Sequence, residues 1–179
     1  MSTHNQFTPK RTGFSPSQQV RHVSAIDLES LRQSGIRMLL IDFDNTLIAR
    51  HEARPSAAVL AWLERARQAG IEAVVFSNNR SRRVSRIAGE LRLRCFTGVG
   101  KPALSAYRTA LDACGQTPAT VVAIGDQVFR DIWGANRSGV HSILVEPLDR
   151  REFLPIRLIR PIERLVLASL RERQLRNVG

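Results

Sequence analysis

Lysine, cysteine and aromatic side chains are all scarce in this chain of 179 residues. The two cysteines, Cys95 and Cys114, are too few for a disulfide framework and lack the spacing of zinc ligands. No apolar run reaches the roughly 18–20 residues of a membrane span, and the polar segment 1–17 lacks the apolar core of a secretion signal. These absences exclude a disulfide-stapled or membrane-spanning class and lead us to expect a cytoplasmic protein.

Arginine, by contrast, is abundant. Lysine and arginine together number 27 against 16 acidic residues, which gives a net charge of +11, and the only lysines are Lys10 and Lys101. This excess predicts an anionic partner, which is nucleic acid, an acidic membrane surface or a phosphorylated substrate. A solvated surface that reflects an arginine-rich composition explains the charge equally well. The aromatic content of 6% disfavours nucleic acid, since stacking on bases needs aromatic side chains.

Short apolar stretches alternate with segments of helical periodicity along the chain. This alternation predicts an α/β fold, a doubly wound (Rossmann-like) parallel sheet of about five strands with helices on both faces. Strands are expected at 37–44, 72–76, 94–99, 120–124 and 141–145. Helices are expected at 24–34, with Ser24 as its cap, and at 55–69, 81–91, 102–113 and 131–138.

The predicted domain organisation is simple. A chain of this length corresponds to one domain, which we place at 18–179 after a flexible lead-in over 1–17. A basic helix is expected at about 155–177, with an apolar stripe beside several arginines. Such a helix either lies on anionic lipid or packs on its own domain, and the sequence leaves both readings open. The oligomeric state is not readable from the sequence.

Polar side chains follow three of the predicted strands, namely Asp42 with Asp44, Ser77, and Asp126. The carboxyl ends of parallel strands meet at one edge of a sheet, where ligands bind. Two carboxylates on one face of a strand end repel each other unless a cation intervenes, and Mg²⁺ is the simplest cation for such a site. Lys101 adds a point charge suited to a phosphate oxygen.

These residue types suit phosphoryl transfer. One carboxylate attacks phosphorus and forms an aspartyl-phosphate, while the second protonates the leaving alkoxide and later deprotonates water. Metal and lysine offset the charge of a phosphate that meets a carboxylate. The hydroxyls of Thr46 and Ser77 are placed to orient phosphate oxygens.

In order and spacing, four segments of the chain resemble the motifs of the haloacid dehalogenase superfamily of phosphatases, subclass IIIA. The segments are Asp42–Thr46, Ser77, Lys101 and Gly125–Asp131. The resemblance implies that Asp42 is the nucleophile and Asp44 the acid/base, and that Lys101 stabilises the phosphoryl group. It also implies that Thr46, Ser77 and Asn78 bind phosphate. The implied Mg²⁺ ligands are the Asp42 side chain, the Asp44 main-chain carbonyl and Asp126. Asp131 is implied to lie behind these ligands, as an acid that does not bind the metal directly.

A narrower resemblance covers nearly the whole chain. Four segments are similar to the YqeG-type branch, which is related to phosphatidylglycerophosphate phosphatases: Val20–Leu47, Ser77–Asn79, Gly125–Leu148 and Arg160–Val166. The branch implies a lipid phosphate substrate, at the step that makes phosphatidylglycerol. It also implies a substrate anchored at the inner face of a membrane, where the protein would be peripheral.

The intervals between motifs bear on access to the site. About 30 residues separate Thr46 from Ser77 and about 23 separate Ser77 from Lys101, so neither interval is long enough for a cap domain. An open site suits a substrate that stays anchored in a membrane or macromolecule. A cluster comprising Arg80, Arg82, Arg83 and Arg86 either rings its mouth or forms a solvated helix face.

Three alternatives remain at this stage. The same chemistry serves a soluble phosphate ester or a nucleic-acid end, for which the arginine excess suits a polynucleotide backbone. A signalling receiver domain is phosphorylated on an aspartate without turnover, although its acidic pair, acceptor and lysine come in another order. A scaffold without catalysis is the third, although every expected catalytic residue type is present.

Overall fold

The computed structural model describes residues 13–149 together with Pro161, Leu165, Val166 and Ala168. The strands are β1 Gln18–Val20, β2 Met38–Ile41, β3 Glu72–Ser77, β4 Arg94–Thr97, β5 Val121–Gly125 and β6 His141–Val145. The α-helices are α1 Leu28–Gln33, α2 Ala57–Gln68, α3 Arg82–Glu90, α4 Leu104–Cys114 and α5 Trp133–Arg137. Short 3-10 turns lie at Val23–Ala25 and Pro118–Thr120, and a π-helical turn lies at Val128–Ile132.

The strands form one parallel sheet in the order β1-β6-β5-β2-β3-β4. Strand β2 lies at its centre, with Met38 opposite Glu72 of β3 and Val121 of β5. The predicted α/β class is therefore confirmed, with one strand more than the predicted five or so. Strand β1 was missed because Gln18–Val20 is only three residues long and mostly polar.

Each face of the sheet has its own apolar layer, because side chains alternate along a strand. Leu39 and Ile41 of β2 face α1, α2 and α3, and the buried Trp62 of α2 belongs to that layer and donates its indole N–H to the carbonyl of Ile26 at 3.2 Å. Met38 and Leu40 face α4 and α5 on the other side. Both faces of the sheet are thus covered, as expected for a doubly wound fold.

Two predicted helix starts need correction. The helix predicted over 24–34 begins at Leu28, because the Asp27 carboxylate accepts the backbone N–H groups of Glu29 and Ser30 and so caps it, whereas Ser24 lies in a 3-10 turn. The helix predicted over 131–138 begins earlier, at Val128, with a π-helical turn that leads into α5.

The predicted flexible lead-in over 1–17 extends too far, since residues 13–17 make native contacts. Ser17 is buried and donates its backbone N–H to the Ser142 carbonyl at 2.8 Å. The Asn136 amide donates to the carbonyls of Gly13 and Ser15 at 2.8 and 2.9 Å, and the Phe14 ring contacts the rings of Phe129 and Trp133. Residues 1–12 lie outside the described part.

Among residues 13–149, no inserted domain covers the carboxyl edge of the sheet. Helix α2 and strand β3 fill the interval between Thr46 and Ser77, and α3 and β4 fill the interval between Ser77 and Lys101. The prediction of no cap is therefore confirmed over these intervals. The predicted basic helix over 155–177 lies almost entirely outside the described residues. Within those residues, no helix has the length and apolarity needed to cross a bilayer.

Candidate active site

The site begins at the carboxyl end of β2, where the buried strand runs into a tight turn. Asp42 still follows the sheet, since its backbone N–H donates to the Ile124 carbonyl at 2.8 Å. The chain then folds back on itself, and the N–H of Asn45 donates to the Ile48 carbonyl. Asn45 has a φ of 66°, a left-handed value that Asn tolerates better than most residues. This turn places Asp42 and Asp44 at the sheet edge.

Lys101 reaches this edge from the loop after β4. Its side chain is 2% exposed, and its Nζ donates to Asp42 Oδ1 and to Asp131 Oδ1, both at 2.6 Å. Asn78 fixes the lysine's backbone, because its Oδ1 accepts from the Lys101 N–H at 2.7 Å and its Nδ2 donates to the Lys101 carbonyl at 2.9 Å. The Asn78 amide, which is predicted to bind phosphate, thus holds the backbone of Lys101 in this structure.

Three buried carboxylates lie together at this edge, and the lysine contacts two of them, Asp42 and Asp131. One oxygen from each of Asp42, Asp126 and Asp131 lies within 4.8 Å of the others. Asp131 comes this close because Gly125 has no side chain: a Cβ there would lie 2.2 Å from Asp131 Cγ. Carboxylate oxygens at this spacing are hard donors of the kind that Mg²⁺ or a similar divalent cation binds. The residues therefore fit the predicted metal site, with Asp131 inside the cluster rather than behind it.

The charges of this cluster also favour a bound cation. Burial raises the pKa of Asp42 to about 6, the charges of Asp131 and Asp44 act in the same direction, and Lys101 opposes them. Burial lowers the pKa of Lys101, but the carboxylates of Asp131 and Asp42 outweigh it and the net pKa is raised. The lysine is therefore charged, and a single cation does not offset every carboxylate around it. A divalent ion would supply the missing charge.

Asp44 is held apart from this cluster. Its Oδ1 accepts from Arg83 at 3.1 Å and its Oδ2 accepts from the Asn79 amide at 2.8 Å. Its carboxylate is thus not one of the three clustered carboxylates; the prediction assigns only its main-chain carbonyl to the metal. Sequence reasoning missed both partners, although the asparagine pair after β3 was the signal for Asn79.

A cleft of about 330 Å³ opens above these residues. Six of the predicted site residues line it, namely Asp42, Asp44, Ser77, Asn78, Lys101 and Asp131. Four residues that were not predicted as site residues also line it, namely Arg50, Asn79, Gln127 and Arg130. Thr46 does not line the cleft, and its hydroxyl is buried without a hydrogen-bond partner in the described residues. Ser77 Oγ accepts the Asn79 N–H at 3.1 Å, which leaves its own proton available to a substrate oxygen.

The four arginines of the cluster, for which the sequence left a place at the mouth and a solvated helix face both open, make different contacts. None of its four members lines the cleft. Arg80 packs against Gly98, whose φ is 62° and where a Cβ would lie 2.5 Å from Arg80 Nε. Arg82 is exposed, and Arg86 pairs with Glu90 of its own helix at 2.6 Å. Only Arg83 turns toward the site, by way of Asp44.

Comparison with known proteins identifies the family. A family model for haloacid dehalogenase-like hydrolases matches residues 47–139, just over half of the chain. The chain belongs to the haloacid dehalogenase-like hydrolases. The match includes Ser77, Lys101, Asp126 and Asp131. Together with the phosphatase names of two relatives, it confirms the predicted enzyme class, a phosphatase of haloacid dehalogenase type.

Two curated relatives of this hydrolase carry phosphatase names. It is 29% identical over 160 residues to the probable phosphatase YqeG of Bacillus subtilis (strain 168), across 89% of this chain and 93% of that protein. It is 30% identical over 166 residues to phosphatidylglycerophosphate phosphatase 1, chloroplastic/mitochondrial, of Arabidopsis thaliana, across 87% of this chain. The chain spans about half of the Arabidopsis protein, 47% of its length.

The fold of this hydrolase also has solved counterparts. The crystal structure of an uncharacterized protein from Listeria monocytogenes serotype 4b aligns with a TM-score of 0.53 at 16% identity, over 75% of this chain and 99% of that chain. At this identity the likeness concerns the fold alone.

Proposed function

We propose that this hydrolase is a Mg²⁺-dependent phosphatase that acts through an aspartyl-phosphate on Asp42, with phosphatidylglycerophosphate as its substrate. The observation that carries the chemistry is the buried Asp42 carboxylate, bonded to Lys101 at 2.6 Å and within 4.8 Å of the Asp126 and Asp131 ligand atoms. A carboxylate so placed at the floor of an open cleft is positioned as a nucleophile toward an anionic phosphate.

The reaction divides into two displacements. A carboxylate oxygen of Asp42 attacks phosphorus, the ester P–O bond breaks, and Asp44 gives a proton to the departing alkoxide. Water then attacks the phosphorus of the aspartyl-phosphate, and Asp44 takes up one of its protons. The P–O bond to Asp42 breaks, which restores the carboxylate, and inorganic phosphate leaves. Lys101 stabilises negative charge on the phosphoryl oxygens in both steps. The Ser77 hydroxyl donates a hydrogen bond to one of these oxygens.

Asp42, Asp126 and the Asp44 main-chain carbonyl would hold Mg²⁺, with Asp131 adjoining them. When bound, Mg²⁺ supplies charge that lets an anionic phosphate approach an anionic carboxylate. Thr46, with a buried hydroxyl that lacks a partner in the described residues, is a further candidate for orienting phosphate.

Three observations support a lipid phosphate. The Arabidopsis relative is named for phosphatidylglycerophosphate. Within the described part of the chain no cap lies over the cleft, so a headgroup can enter while its lipid stays in the bilayer. Arg50, in the turn region after β2, and Arg130, in the π-helical turn Val128–Ile132, both line the cleft. Phosphatidylglycerophosphate carries a phosphodiester beside its monoester, which such cations suit.

The membrane would be an anionic one, met from its cytoplasmic side. A net charge of +11 favours peripheral contact with anionic lipid, and the predicted basic helix would add to it. Contact with nucleic acid is not part of this proposal. A soluble phosphate ester or a nucleic-acid end remains the second candidate substrate, because the same cations suit any neighbouring anionic group.

The test is phosphate release from a panel of monoesters, with Mg²⁺ present or removed by EDTA. The panel contains phosphatidylglycerophosphate in mixed micelles, glycerol 3-phosphate, a sugar phosphate, p-nitrophenyl phosphate and a 3′-phosphorylated oligonucleotide. We expect release to require Mg²⁺, and kcat/KM for the lipid to exceed that for each soluble ester by about 100-fold.

Arginine variants make this comparison sharper. Joint replacement of Arg50 and Arg130 with alanine is expected to lower kcat/KM for the lipid about tenfold and to change that for p-nitrophenyl phosphate less than threefold. Arg108→Ala, at an exposed position of α4, is the matched control and is expected to change neither value. Preference for the oligonucleotide or a soluble ester contradicts the lipid assignment and keeps the chemistry. Release that persists in EDTA contradicts the metal.

A further inference from the structure

We propose that Arg83 is a positioning residue for the acid/base carboxylate, and that it fixes both Asp44 and the loop after it against α3. The inference rests on the proposed function, in which Asp44 supplies the proton to the leaving group. Helix α3 follows β3, whereas Asp44 follows β2, so the arginine joins two separate segments at the sheet edge.

The contacts of Arg83 converge on residues 43–52. One guanidinium nitrogen donates to Asp44 Oδ1 at 3.1 Å. The second terminal nitrogen, Nη2, donates to the carbonyls of Ala49 and Glu52 at 3.1 and 2.7 Å, and the guanidinium carbon lies 5.1 Å from the centre of the Phe43 ring. The side chain is only 26% exposed, so these contacts are partly shielded from water and hold more firmly than a surface pair.

Asn79 completes the cage around the carboxylate. Its side-chain Nδ2 donates to Asp44 Oδ2 at 2.8 Å, while its side-chain Oδ1 accepts the backbone N–H of Ser81. Each oxygen of Asp44 therefore has one fixed partner, and the plane of the carboxylate is defined. Asn79 and Arg83 lie on either side of the start of α3, so this helix end sets the orientation of the acid.

An arginine is specifically suited to this position. Its planar fork addresses a carboxylate and two carbonyls at once, which a lysine ammonium on a single stem does not reproduce. The other arginines of the cluster make different contacts or face solvent, as described above. The contacts of Arg83 therefore distinguish it from a generally basic surface.

The role has a kinetic signature. An alkoxide leaves only as its proton arrives, whereas p-nitrophenolate leaves readily without one. If Arg83 orients Asp44, its loss slows the cleavage of alkyl esters far more than that of the aryl ester. The ratio kcat/KM covers the steps up to departure of the alcohol, so hydrolysis of the aspartyl-phosphate does not enter the comparison.

The experiment measures kcat/KM for p-nitrophenyl phosphate and for whichever alkyl ester of the panel is hydrolysed fastest, at saturating Mg²⁺. For Arg83→Gln we expect the alkyl value to fall about 50-fold and the aryl value less than threefold. Arg83→Lys is expected to recover part of the alkyl loss. Asp44→Asn should show the same selective loss, and Arg82→Gln, at the exposed neighbouring position, should show none.

The alkyl-to-aryl ratio is taken on one preparation, so a reduced folded fraction cancels from it. An equal fall for both esters in Arg83→Gln and Arg83→Lys, or no fall in either, overturns the positioning role. A wild-type protein without Mg²⁺-dependent release from any ester overturns the proposed function itself. An active wild type with an unselective Arg83→Gln overturns only this inference.

Discussion

Replacing Asp42 with asparagine is expected to abolish turnover while leaving the fold intact. The amide has no nucleophilic carboxylate oxygen, so the aspartyl-phosphate cannot form, and kcat should fall by at least about 10⁴-fold. The fold should survive because the amide oxygen still accepts a hydrogen bond from Lys101 Nζ, which also keeps Asp131 as a partner at 2.6 Å. Phosphate release and the unfolding midpoint, measured on the same sample, test both parts.

The matched control is Asp112→Asn, at an exposed position of α4, which should retain full activity. Residual activity that does not scale with the amount of variant across independent preparations is assigned to traces of wild-type enzyme. Reproducible turnover by Asp42→Asn that does scale with the variant would remove Asp42 as the nucleophile.

Replacing Lys101 with methionine is expected to affect both activity and stability. The side chain is 2% exposed and contacts two carboxylates at 2.6 Å each. Removing one partner of a buried ion pair leaves unpaired charge and costs about 3–5 kcal/mol of unfolding free energy. We therefore expect a loss of about 3 kcal/mol for Lys101→Met in urea unfolding with EDTA present, together with loss of turnover.

Metal and a conservative variant separate the two effects. Saturating Mg²⁺ should recover part of the stability of Lys101→Met, because a divalent ion offsets the same carboxylates, but it should not restore turnover. Lys101→Arg keeps the charge in a larger side chain, and we expect it to be more stable than Lys101→Met and still impaired in catalysis. A methionine variant as stable as wild type in EDTA would contradict this account of the cluster.

The sequence was most informative where buried strands end in polar residues. The run that contains β2 stops at Asp42, and β3 and β5 stop at Ser77 and Asp126, so one sheet edge collects all three. Lys101 lies 59 positions from Asp42 in the sequence, and its place at the site was predicted from the resemblance to the order of the family's motifs. Apolar periodicity also predicted both layers of helices, because buried side chains dominate the energetics of those elements.

Other features were beyond reach for physical reasons. The amide of Asn78 holds a backbone 23 positions away, and a partner so distant in sequence depends on loop geometry that no local pattern encodes. A run of arginines does not show which one contacts the site. Arg82 and Arg83 are identical neighbours in the sequence, yet Arg82 is exposed and Arg83 pairs with Asp44. The three-residue β1 is too short for any periodicity to register.

The measurement that tests the central claim most directly is the exchange of oxygen between inorganic phosphate and water. Reversal of the second displacement lets Asp42 attack phosphate and expel water, so each cycle can replace a phosphate oxygen with one from the solvent. The account predicts that ¹⁸O-labelled phosphate loses its label in ordinary water with wild-type protein and Mg²⁺, and keeps it with EDTA or with Asp42→Asn. A protein that releases phosphate from esters under the same conditions and yet leaves the label in place would contradict the aspartyl-phosphate mechanism.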